Sequence, residues 1–334
     1  MADIVAVSGA TGFIGSAVVR RLLAEGRDVR ALVEPGANTA NLDELPASKV
    51  DRVTVDVCDY VAMARALDGC SAFYHLAAIY KVWTPDPTNL YRVNLEGTTA
   101  SLLAAKTARI PRVVYTSSIA AVGRREDGAP ADETVQFNLY DDANPYILSK
   151  YLSERTAVRF AEAGLPVVIV NPAFPFGPRD TAPTPTGRII LMILAGKLPG
   201  LPAGGFCAVD VDDVAAGHVA AETKGRIGER YLLGNHNITF REFVEIVCRV
   251  AGKPAPKITI PNWLGLGVTA GLELVSNHIT HAEPRATVKS AKYMFGPAYF
   301  DSSKARAELD LPCTPLVETI ERAVSFYRSQ NMSV

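Results

Sequence analysis

Tyr146 and Lys150 are a pair of residues whose types and spacing could perform chemistry. They are four positions apart in a segment with a helical pattern, residues 145–163, so both side chains lie on one face of the helix. A free tyrosine has a pKa of about 10, which is too high for ready proton exchange at neutral pH. A neighbouring ammonium favours the phenolate and lowers that pKa. The pair therefore predicts a general acid/base, which typically contributes about 10²- to 10⁴-fold to a rate.

Ser118 is a third candidate, because it ends a short apolar run that reads as a strand tipped with hydroxyl groups, residues 113–118. A doubly wound sheet binds its ligand in the crevice at the carboxyl ends of its strands. Tyr-x-x-x-Lys alone is common by chance, but here it follows a serine-tipped strand. The pair and this strand together predict a catalytic site at the carboxyl edge of the sheet, with Ser118, Tyr146 and Lys150 as its candidates.

Gly9, Gly12 and Gly15 are spaced Gly-x-x-Gly-x-x-Gly between the first strand-like run and a helical pattern. Glycine is needed where a backbone turns tightly, approaches a pyrophosphate or lets a helix pack closely on a strand. The start of the helix then presents unpaired N–H groups and the positive end of its dipole to the anion. This context predicts a dinucleotide phosphate site at the start of the chain.

The elements that must position these residues alternate between short apolar runs and longer amphipathic stretches. The strand-like runs are residues 4–8, 29–33, 53–55, 72–76, 113–117 and 167–171. The helical patterns are residues 13–25, 60–67, 90–108 and 145–163. Such alternation predicts an α/β fold, a doubly wound parallel sheet with helices on both faces. Continuous apolar runs are typical of strands that are buried on both faces.

The glycine spacing, the Phe-Ile-Gly at 13–15 and the Ser118, Tyr146 and Lys150 positions resemble the extended short-chain dehydrogenase/reductases, the NAD-dependent epimerase/dehydratase family. That branch includes sugar-nucleotide epimerases, dehydratases and dihydroflavonol reductase-like enzymes. The resemblance runs through nearly the whole chain. It is nearest to the group called hopanoid-associated sugar epimerases, on residues 80–87, 168–172, 183–188 and 209–214. It implies that Tyr146 exchanges a proton, Ser118 polarises the carbonyl and Lys150 also holds the nicotinamide ribose.

The resemblance also implies a nicotinamide dinucleotide cofactor, NAD(P)(H), and the residues that contact it. Besides Lys150, these are Gly9, Thr11, Gly12, Phe13, Ile14, Gly15, Glu34, Asp56, Val57, Leu76, Ala77, Ala78, Asn94, Thr116 and Pro172. Dihydroflavonol reductase-like relatives often carry arginine near position 34 and use NADPH. An acid there accepts hydrogen bonds from ribose hydroxyls and repels a 2′-phosphate, so Glu34 favours NAD(H). His75 reads as a packed histidine.

Two interleaved lobes are expected. A Rossmann domain would comprise residues 1–171 and about 205–234. A smaller substrate lobe would comprise residues 172–204 and about 235–330, beginning with a loop at 172–187 that is rich in proline, glycine and threonine. A helix is predicted over residues 238–250 with Thr239 as its N-cap.

The substrate class is read from residues expected to line the pocket, which are mostly aromatic. They are Tyr80, Trp83, Phe174, Phe176 and Phe206, joined as substrate-binding candidates by Ser118, Asn171 and Arg188. An apolar wall favours a ketone or aldehyde reductase, or an alcohol dehydrogenase. The alternative is a sugar-nucleotide epimerase or dehydratase, with Arg179, Arg188 and Lys197 as possible diphosphate contacts. A third option, a non-catalytic redox sensor, usually lacks the tyrosine or the lysine that this chain retains.

Composition excludes several other classes. With 34 basic and 35 acidic residues, the chain has no charge excess for binding nucleic acid or an anionic membrane. Its five cysteines are scattered without a Cys-x-x-Cys pair, which predicts neither a metal site nor disulfides and fits a reducing, cytoplasmic setting. The apolar stretch at 263–275 is too short to span a bilayer. By resemblance, the helices at 90–108 and 145–163 would form a homodimer interface.

Overall fold

A computed structural model of the chain describes residues 3–198, 200–256, 259–276, 288–289, 292 and 296–332. Its centre is a seven-stranded parallel sheet. In spatial order the strands are β10 (Arg230–Leu233), β6 (Val167–Pro172), β5 (Val113–Thr116), β4 (Ala72–His75), β1 (Ile4–Ser8), β2 (Asp28–Val33) and β3 (Val50–Thr54). This order reverses between β1 and β4, so the predicted doubly wound sheet is confirmed.

Eleven α-helices have both of their ends within the residues that the structure describes. They are α1 (Phe13–Ala24), α2 (Tyr60–Leu67), α3 (Thr88–Tyr91), α4 (Gly97–Thr107), α5 (Pro145–Glu162), α6 (Pro185–Leu194), α7 (Val211–Lys224), α8 (Phe240–Ala251), α9 (Asn262–Val275), α10 (Ser303–Leu309) and α11 (Leu316–Ser329). A π-helical turn, Arg92–Glu96, joins α3 to α4 without a break, and 3₁₀ turns occur at Ala40–Leu42 and Ile119–Ala121.

Side chains of the central sheet alternate between two apolar cores, one on each face. Val5 and Val7 belong to the core that includes Val18 of α1 and Val214 of α7. Ala6, between them, belongs to the opposite core, which α2, α4 and α5 cover. Because Val5, Ala6 and Val7 are fully buried, an apolar residue is required at each of these positions. The sheet is therefore packed on both faces, and the residues that follow its strands lie at its carboxyl edge.

A second, smaller sheet is built around β9 (Gly205–Asp210). This strand pairs antiparallel with β11 (His236–Thr239) and parallel with β7 (Phe174–Phe176) and β13 (Pro297–Ala298). A separate pair joins β8 (Leu201–Pro202) to β12 (Thr259–Ile260). After β9, the chain returns through α7 to β10 at the edge of the central sheet. The proposed division into two lobes, with its boundaries, stays a prediction.

Two helix starts in this part of the chain have clear local causes. The predicted N-cap Thr239 forms a capping box with Glu242 at the start of α8. Helix α6 starts at Pro185, inside the segment at 172–187 that is expected to be a loop. Thr184 caps it by accepting a hydrogen bond from the Gly187 amide, and Pro185 occupies its first turn.

Several expected absences concern only the described residues. Within those ranges, no helix is long and apolar enough to cross a membrane. Over the same ranges, no three histidine, cysteine, aspartate or glutamate side chains are grouped as metal ligands. The five cysteines, all of which lie in described segments, are free thiols.

Candidate functional site

The turn between β1 and α1 requires glycine at two positions. Gly9 has a φ of +67°, and a Cβ atom there would lie 2.8 Å from the Ala77 amide nitrogen. A Cβ atom on Gly15 would lie 2.0 Å from the Gly9 carbonyl oxygen. No side chain caps the start of α1, where Gly12 is the N-cap residue. The turn is thus a bare backbone surface at a helix N-terminus, which suits a pyrophosphate group.

A buried histidine fixes the neighbouring loop after β4 to this turn. The Ser8 hydroxyl lies 2.8 Å from His75 Nδ1 and accepts hydrogen bonds from the amides of Leu76 (3.2 Å) and Ala77 (3.3 Å). Complete burial lowers the pKa of His75 to about 3, and the nearby Lys150 charge adds to this effect. His75 is therefore neutral and structural, as its sequence context indicates.

Asn94 lies in the π-helical turn and holds the same loop from the other side. Its Oδ1 atom accepts a hydrogen bond from the Ile79 amide at 2.7 Å. Its Nδ2 atom donates to the Ile79 carbonyl oxygen at 3.1 Å and to the Ser149 hydroxyl at 2.9 Å. Both amide hydrogens are thus used within the protein. This geometry gives Asn94 a positioning role between the loop and α5, while its contact with a cofactor stays a prediction.

Three residues predicted to contact the cofactor, Glu34, Asp56 and Val57, lie just after β2 and β3. Glu34 is exposed and directly follows β2. Asp56 accepts a hydrogen bond from the Cys58 amide at 2.9 Å and forms an ion pair with Arg92 at 3.1 Å. The Cys58 bond, opposed by partial burial and aided by Arg92, lowers the pKa of Asp56. Val57 is half-buried beside it.

Lys150 is buried in α5, with only 4% of its surface exposed. Its Nζ atom donates a 2.8 Å hydrogen bond to the Thr116 carbonyl oxygen and lies 5.5 Å from the Tyr115 ring centroid. Burial lowers the pKa of Lys150 to about 8, although the negative charge of Glu154 opposes the change. The lysine therefore joins α5 to the carboxyl end of β5.

Tyr146 lies one helical turn before Lys150 and is half-buried. Its ring packs against Tyr80, with 4.7 Å between ring centroids, and against the apolar cluster that includes Ala120. Ser118 begins the 3₁₀ turn at Ile119–Ala121, which packs on α5, and its hydroxyl accepts a 3.1 Å hydrogen bond from the Ala120 amide. The structure thus brings all three predicted catalytic residues to the region where β5 ends against α5.

The end of β5 is also held from the opposite face of the sheet. The Thr116 hydroxyl lies 2.9 Å from His218 Nε2, and His218 Nδ1 lies 2.8 Å from the Val214 carbonyl oxygen. Because the carbonyl only accepts, Nδ1 carries the hydrogen and Nε2 accepts from Thr116. Burial lowers the pKa of His218 to about 4. Thr116 is therefore held between α5 and α7.

The predicted substrate residues are more dispersed. Tyr80 and half-buried Trp83 lie in the loop after β4, Phe174 is half-buried in β7, and Arg188 is exposed in the first turn of α6. Asn171, fully buried in β6, donates a 2.9 Å hydrogen bond to the Ser118 carbonyl oxygen. Phe176 and Phe206 lie in the aromatic core of the second sheet, where both contact Phe243.

Glu154 is a buried polar residue at this site that is absent from the predicted set. It accepts hydrogen bonds from Asn171 Nδ2 at 2.5 Å and from Arg230 Nη1 at 3.0 Å. A sequence signal existed, because Glu154 follows Lys150 by four positions and lies on the same helical face. Neither partner is recognisable from the sequence alone, since Arg230 is 76 positions away.

Comparison with known proteins identifies the family of the chain. Residues 5–234 match the family model for the NAD dependent epimerase/dehydratase family. A protein of Synechocystis sp., provisionally named dihydroflavonol 4-reductase, is 39% identical over 98% of this chain and 96% of its own length. Sterol demethylase protein B of Methylococcus capsulatus is 34% identical over 98% of both chains. The crystal structure of gox2253 superimposes with a TM-score of 0.87 at 37% identity, covering 99% of this chain and 100% of the other. The chain belongs to the NAD-dependent epimerase/dehydratase family, the extended short-chain dehydrogenase/reductases.

Proposed function

We propose that this protein is an NAD(P)-dependent oxidoreductase that reduces a ketone or aldehyde, or oxidises the corresponding alcohol. The observation that carries the proposal is the position of Lys150. Its buried ammonium is hydrogen-bonded to the end of β5, the strand that precedes Ser118. Lys150 also lies one helical turn after Tyr146 in α5. Membership of the family already indicates an enzyme of the NAD-dependent oxidoreductase type.

Three side chains of the chain would carry the reaction. Tyr146 donates a proton to the carbonyl oxygen during reduction and accepts it back during oxidation. Lys150, one turn away, favours the phenolate of Tyr146 and so makes the exchange possible near neutral pH. Ser118 donates a hydrogen bond to the carbonyl oxygen and polarises it. A bound nicotinamide supplies the hydride exchange with the substrate carbon.

The chain fits such a cofactor along the carboxyl edge of the central sheet. The bare turn from Gly9 to Gly15 would hold the pyrophosphate. Glu34 would accept hydrogen bonds from the adenosine ribose, and Asp56 with Val57 would contact the adenine. Lys150 would hold the nicotinamide ribose. The negative charge of Glu34 favours NAD(H) over NADP(H).

The preference for an apolar carbonyl substrate rests on the Tyr80 ring, which packs on Tyr146. An aromatic side chain beside the proton donor favours a substrate with an apolar or aromatic body. The relative that is provisionally named a dihydroflavonol 4-reductase, similar over almost the whole chain, supports a reductase. The alternative, supported by the family's own description, is a sugar-nucleotide epimerase or dehydratase.

Net cofactor turnover separates these two reactions. A reductase consumes one NAD(P)H for each carbonyl reduced, whereas an epimerase recycles the cofactor within one active site. We expect stoichiometric loss of reduced-cofactor absorbance with aromatic or aliphatic ketones and aldehydes. Epimerised nucleotide sugar without net cofactor change would overturn the reductase assignment. The Tyr146→Phe variant, which should bind cofactor without turnover, is the control for contaminating activity.

We also propose a homodimer formed by α4 and α5. The proposal rests on the resemblance, and these helices pack side by side on one face of the sheet, where Leu103 of α4 is 43% exposed. Sedimentation of the purified protein at micromolar concentration should give twice the monomer mass. A monomer at that concentration would contradict the proposal.

A further inference from the structure

A continuous buried polar chain connects the last strand of the central sheet to the peptide of Ser118. Arg230 of β10 donates to Glu154 of α5 at 3.0 Å, and Asn171 of β6 donates to the same carboxylate at 2.5 Å. Asn171 Nδ2 also donates to the Ser118 carbonyl oxygen at 2.9 Å. Both partners of this Nδ2 atom are acceptors, so the orientation of the Asn171 amide is fixed.

Glu154 is the central member of this chain, and the proposed mechanism gives it no function. Its side chain is 3% exposed, and both of its carboxylate oxygens are used. Burying a carboxylate is costly unless it is paired and hydrogen-bonded, so an apolar residue would serve mere packing better. The arrangement thus calls for a reason other than stability.

We propose that Glu154 is a positioning residue of the catalytic centre, holding the Ser118 peptide through Asn171 and supplying a negative charge one helical turn beyond Lys150. The inference rests on the proposed function, because it assigns Glu154 a part in the same reaction. The Ser118 carbonyl oxygen also accepts from the Ala121 amide at 3.0 Å, so Asn171 and the 3₁₀ turn together fix the direction of the Ser118 side chain.

The charge of Glu154 matters because Lys150 is buried. Burial lowers the pKa of Lys150 to about 8, and Glu154 is the group that opposes this decrease. The titratable and charged groups that face Lys150 and Glu154 come from β4, β5, α5 and β10 and are His75, Tyr115, Tyr146 and Arg230. His75 is neutral at physiological pH, so the carboxylate of Glu154 is the negative charge that favours the ammonium form.

The Glu154→Gln variant tests this role. Glutamine keeps the shape of the side chain but offers one acceptor oxygen to two donors. Arg230 keeps its bonds to the Glu133 and Val135 carbonyl oxygens, so the fold retains those ties. We expect kcat for carbonyl reduction to fall by about tenfold or more, with KM changed less than about twofold, because the loss lies in orientation rather than substrate binding. We also expect the alkaline limb of the kcat profile to move to lower pH.

Glu222→Gln is a matched control. Glu222 is a largely buried carboxylate paired with Arg27 at 3.3 Å, and it also accepts a hydrogen bond from the Tyr74 hydroxyl. This pair lies at the amino edge of the sheet, where Arg27 precedes β2. Its loss should lower stability without changing the kcat profile. Equal kcat and pH limbs in wild type and Glu154→Gln, or equal changes in both variants, would overturn the positioning role.

A third measurement does not depend on turnover. Hydrogen exchange of the Ala121 and Val122 amides reports the order of the turn that Ser118 begins. Exchange there should be faster in Glu154→Gln and unchanged in Glu222→Gln. If wild type consumes no cofactor with any carbonyl, the proposed function fails, while this exchange difference still decides the positioning role. Should Glu154→Gln not fold, Asn171→Ser breaks the same link to Ser118 and is expected to give the same acceleration.

Discussion

The Lys150 Nζ atom and the Thr116 carbonyl oxygen lie 2.8 Å apart, so a buried ammonium joins α5 to β5 two residues before Ser118. A charge-assisted hydrogen bond of this kind is stronger than a neutral one. It fixes the position of α5, which carries Tyr146, relative to the end of β5, which precedes Ser118. The placement of Tyr146 relative to Ser118 is therefore set by the lysine as well as by apolar packing.

Replacing Tyr146 by phenylalanine removes the hydroxyl that we propose as the proton donor and keeps the ring that packs on Tyr80. We expect kcat/KM to fall by about 10²- to 10⁴-fold. Cofactor affinity, measured by calorimetry, should stay within a few-fold of wild type, because the lysine remains in place. Retained turnover in Tyr146→Phe would exclude Tyr146 as the proton donor.

Carbonyl reduction should decline as pH rises through about 8, the pKa of the buried Lys150. Below this pH the ammonium is present and, in the proposed mechanism, stabilises the phenolate that forms when Tyr146 gives up its proton. Above it, the neutral amine no longer does so. The measurement is the pH profile of kcat at saturating substrate. A rate that is flat from pH 7 to pH 10 would contradict the assigned role of the lysine.

Gly9→Ala is expected to abolish cofactor binding. The added methyl group would lie 2.8 Å from the Ala77 amide nitrogen, at a backbone φ of +67°. Gly26→Ala is the matched control, because Gly26 also has a positive φ, +83°, but has open space around its Cβ position. Both variants should lose roughly 1 kcal/mol of stability from backbone strain, and Gly9→Ala should lose more because of the close contact with Ala77. Only Gly9→Ala should lose cofactor-induced thermal stabilisation, and equal losses would argue against the glycine turn as the phosphate site.

Glu34→Arg should shift cofactor preference toward NADP(H). Arginine at this exposed position removes the repulsion of a 2′-phosphate and adds an attraction. The ratio of the Kd values for NAD and NADP should change by at least about tenfold, which corresponds to about 1.4 kcal/mol. Titration of each cofactor against wild type and variant measures it. An unchanged ratio would place the ribose away from Glu34.

Acid stability should depend on His218. Its folded pKa of about 4 lies below the unfolded value of 6.5, so the unfolded state binds more protons between these limits. Stability is present above pH 6.5 and decreases as pH falls toward 4. His218→Asn should lose about 2 kcal/mol less than wild type between pH 7 and pH 5 in urea unfolding. Equal losses would indicate that another group dominates acid unfolding.

Much of the fold was predictable because local patterns reflect burial. Strands covered on both faces must be continuously apolar, and the runs at 4–8, 72–76 and 167–171 therefore match β1, β4 and β6 to within one residue. The glycine turn and the spacing of Tyr146 and Lys150 are equally local. In contrast, β7 lies inside the segment at 172–187, whose composition indicates a loop. This strand was not predicted because its partner, β9, begins 29 residues after Phe176.

The parts of the candidate site that the sequence does not predict depend on distant partners. Glu154 is hydrogen-bonded to Asn171, 17 positions away, and to Arg230, 76 positions away. Sequence periodicity does not predict such pairs, since each of these residues alone looks like an ordinary polar residue. The aromatic residues show the same limit. Phe174 and Phe206 read alike in the sequence, but Phe174 is half-buried and Phe206 lies in the core of the second sheet.

The π-helical turn at Arg92–Glu96 makes the helix around it sensitive to chain length. A π-bulge accommodates one surplus residue, and one residue corresponds to about 100° of rotation around an α-helix. The side chains of α3 therefore keep their direction relative to those of α4 only because the extra residue is present. From this position Asn94 is hydrogen-bonded to both the backbone N–H and the backbone carbonyl of Ile79. Deletion of one residue from this turn would rotate the Asn94 side chain away from Ile79. The loop after β4 would then lose these hydrogen bonds, although no other residue had been replaced.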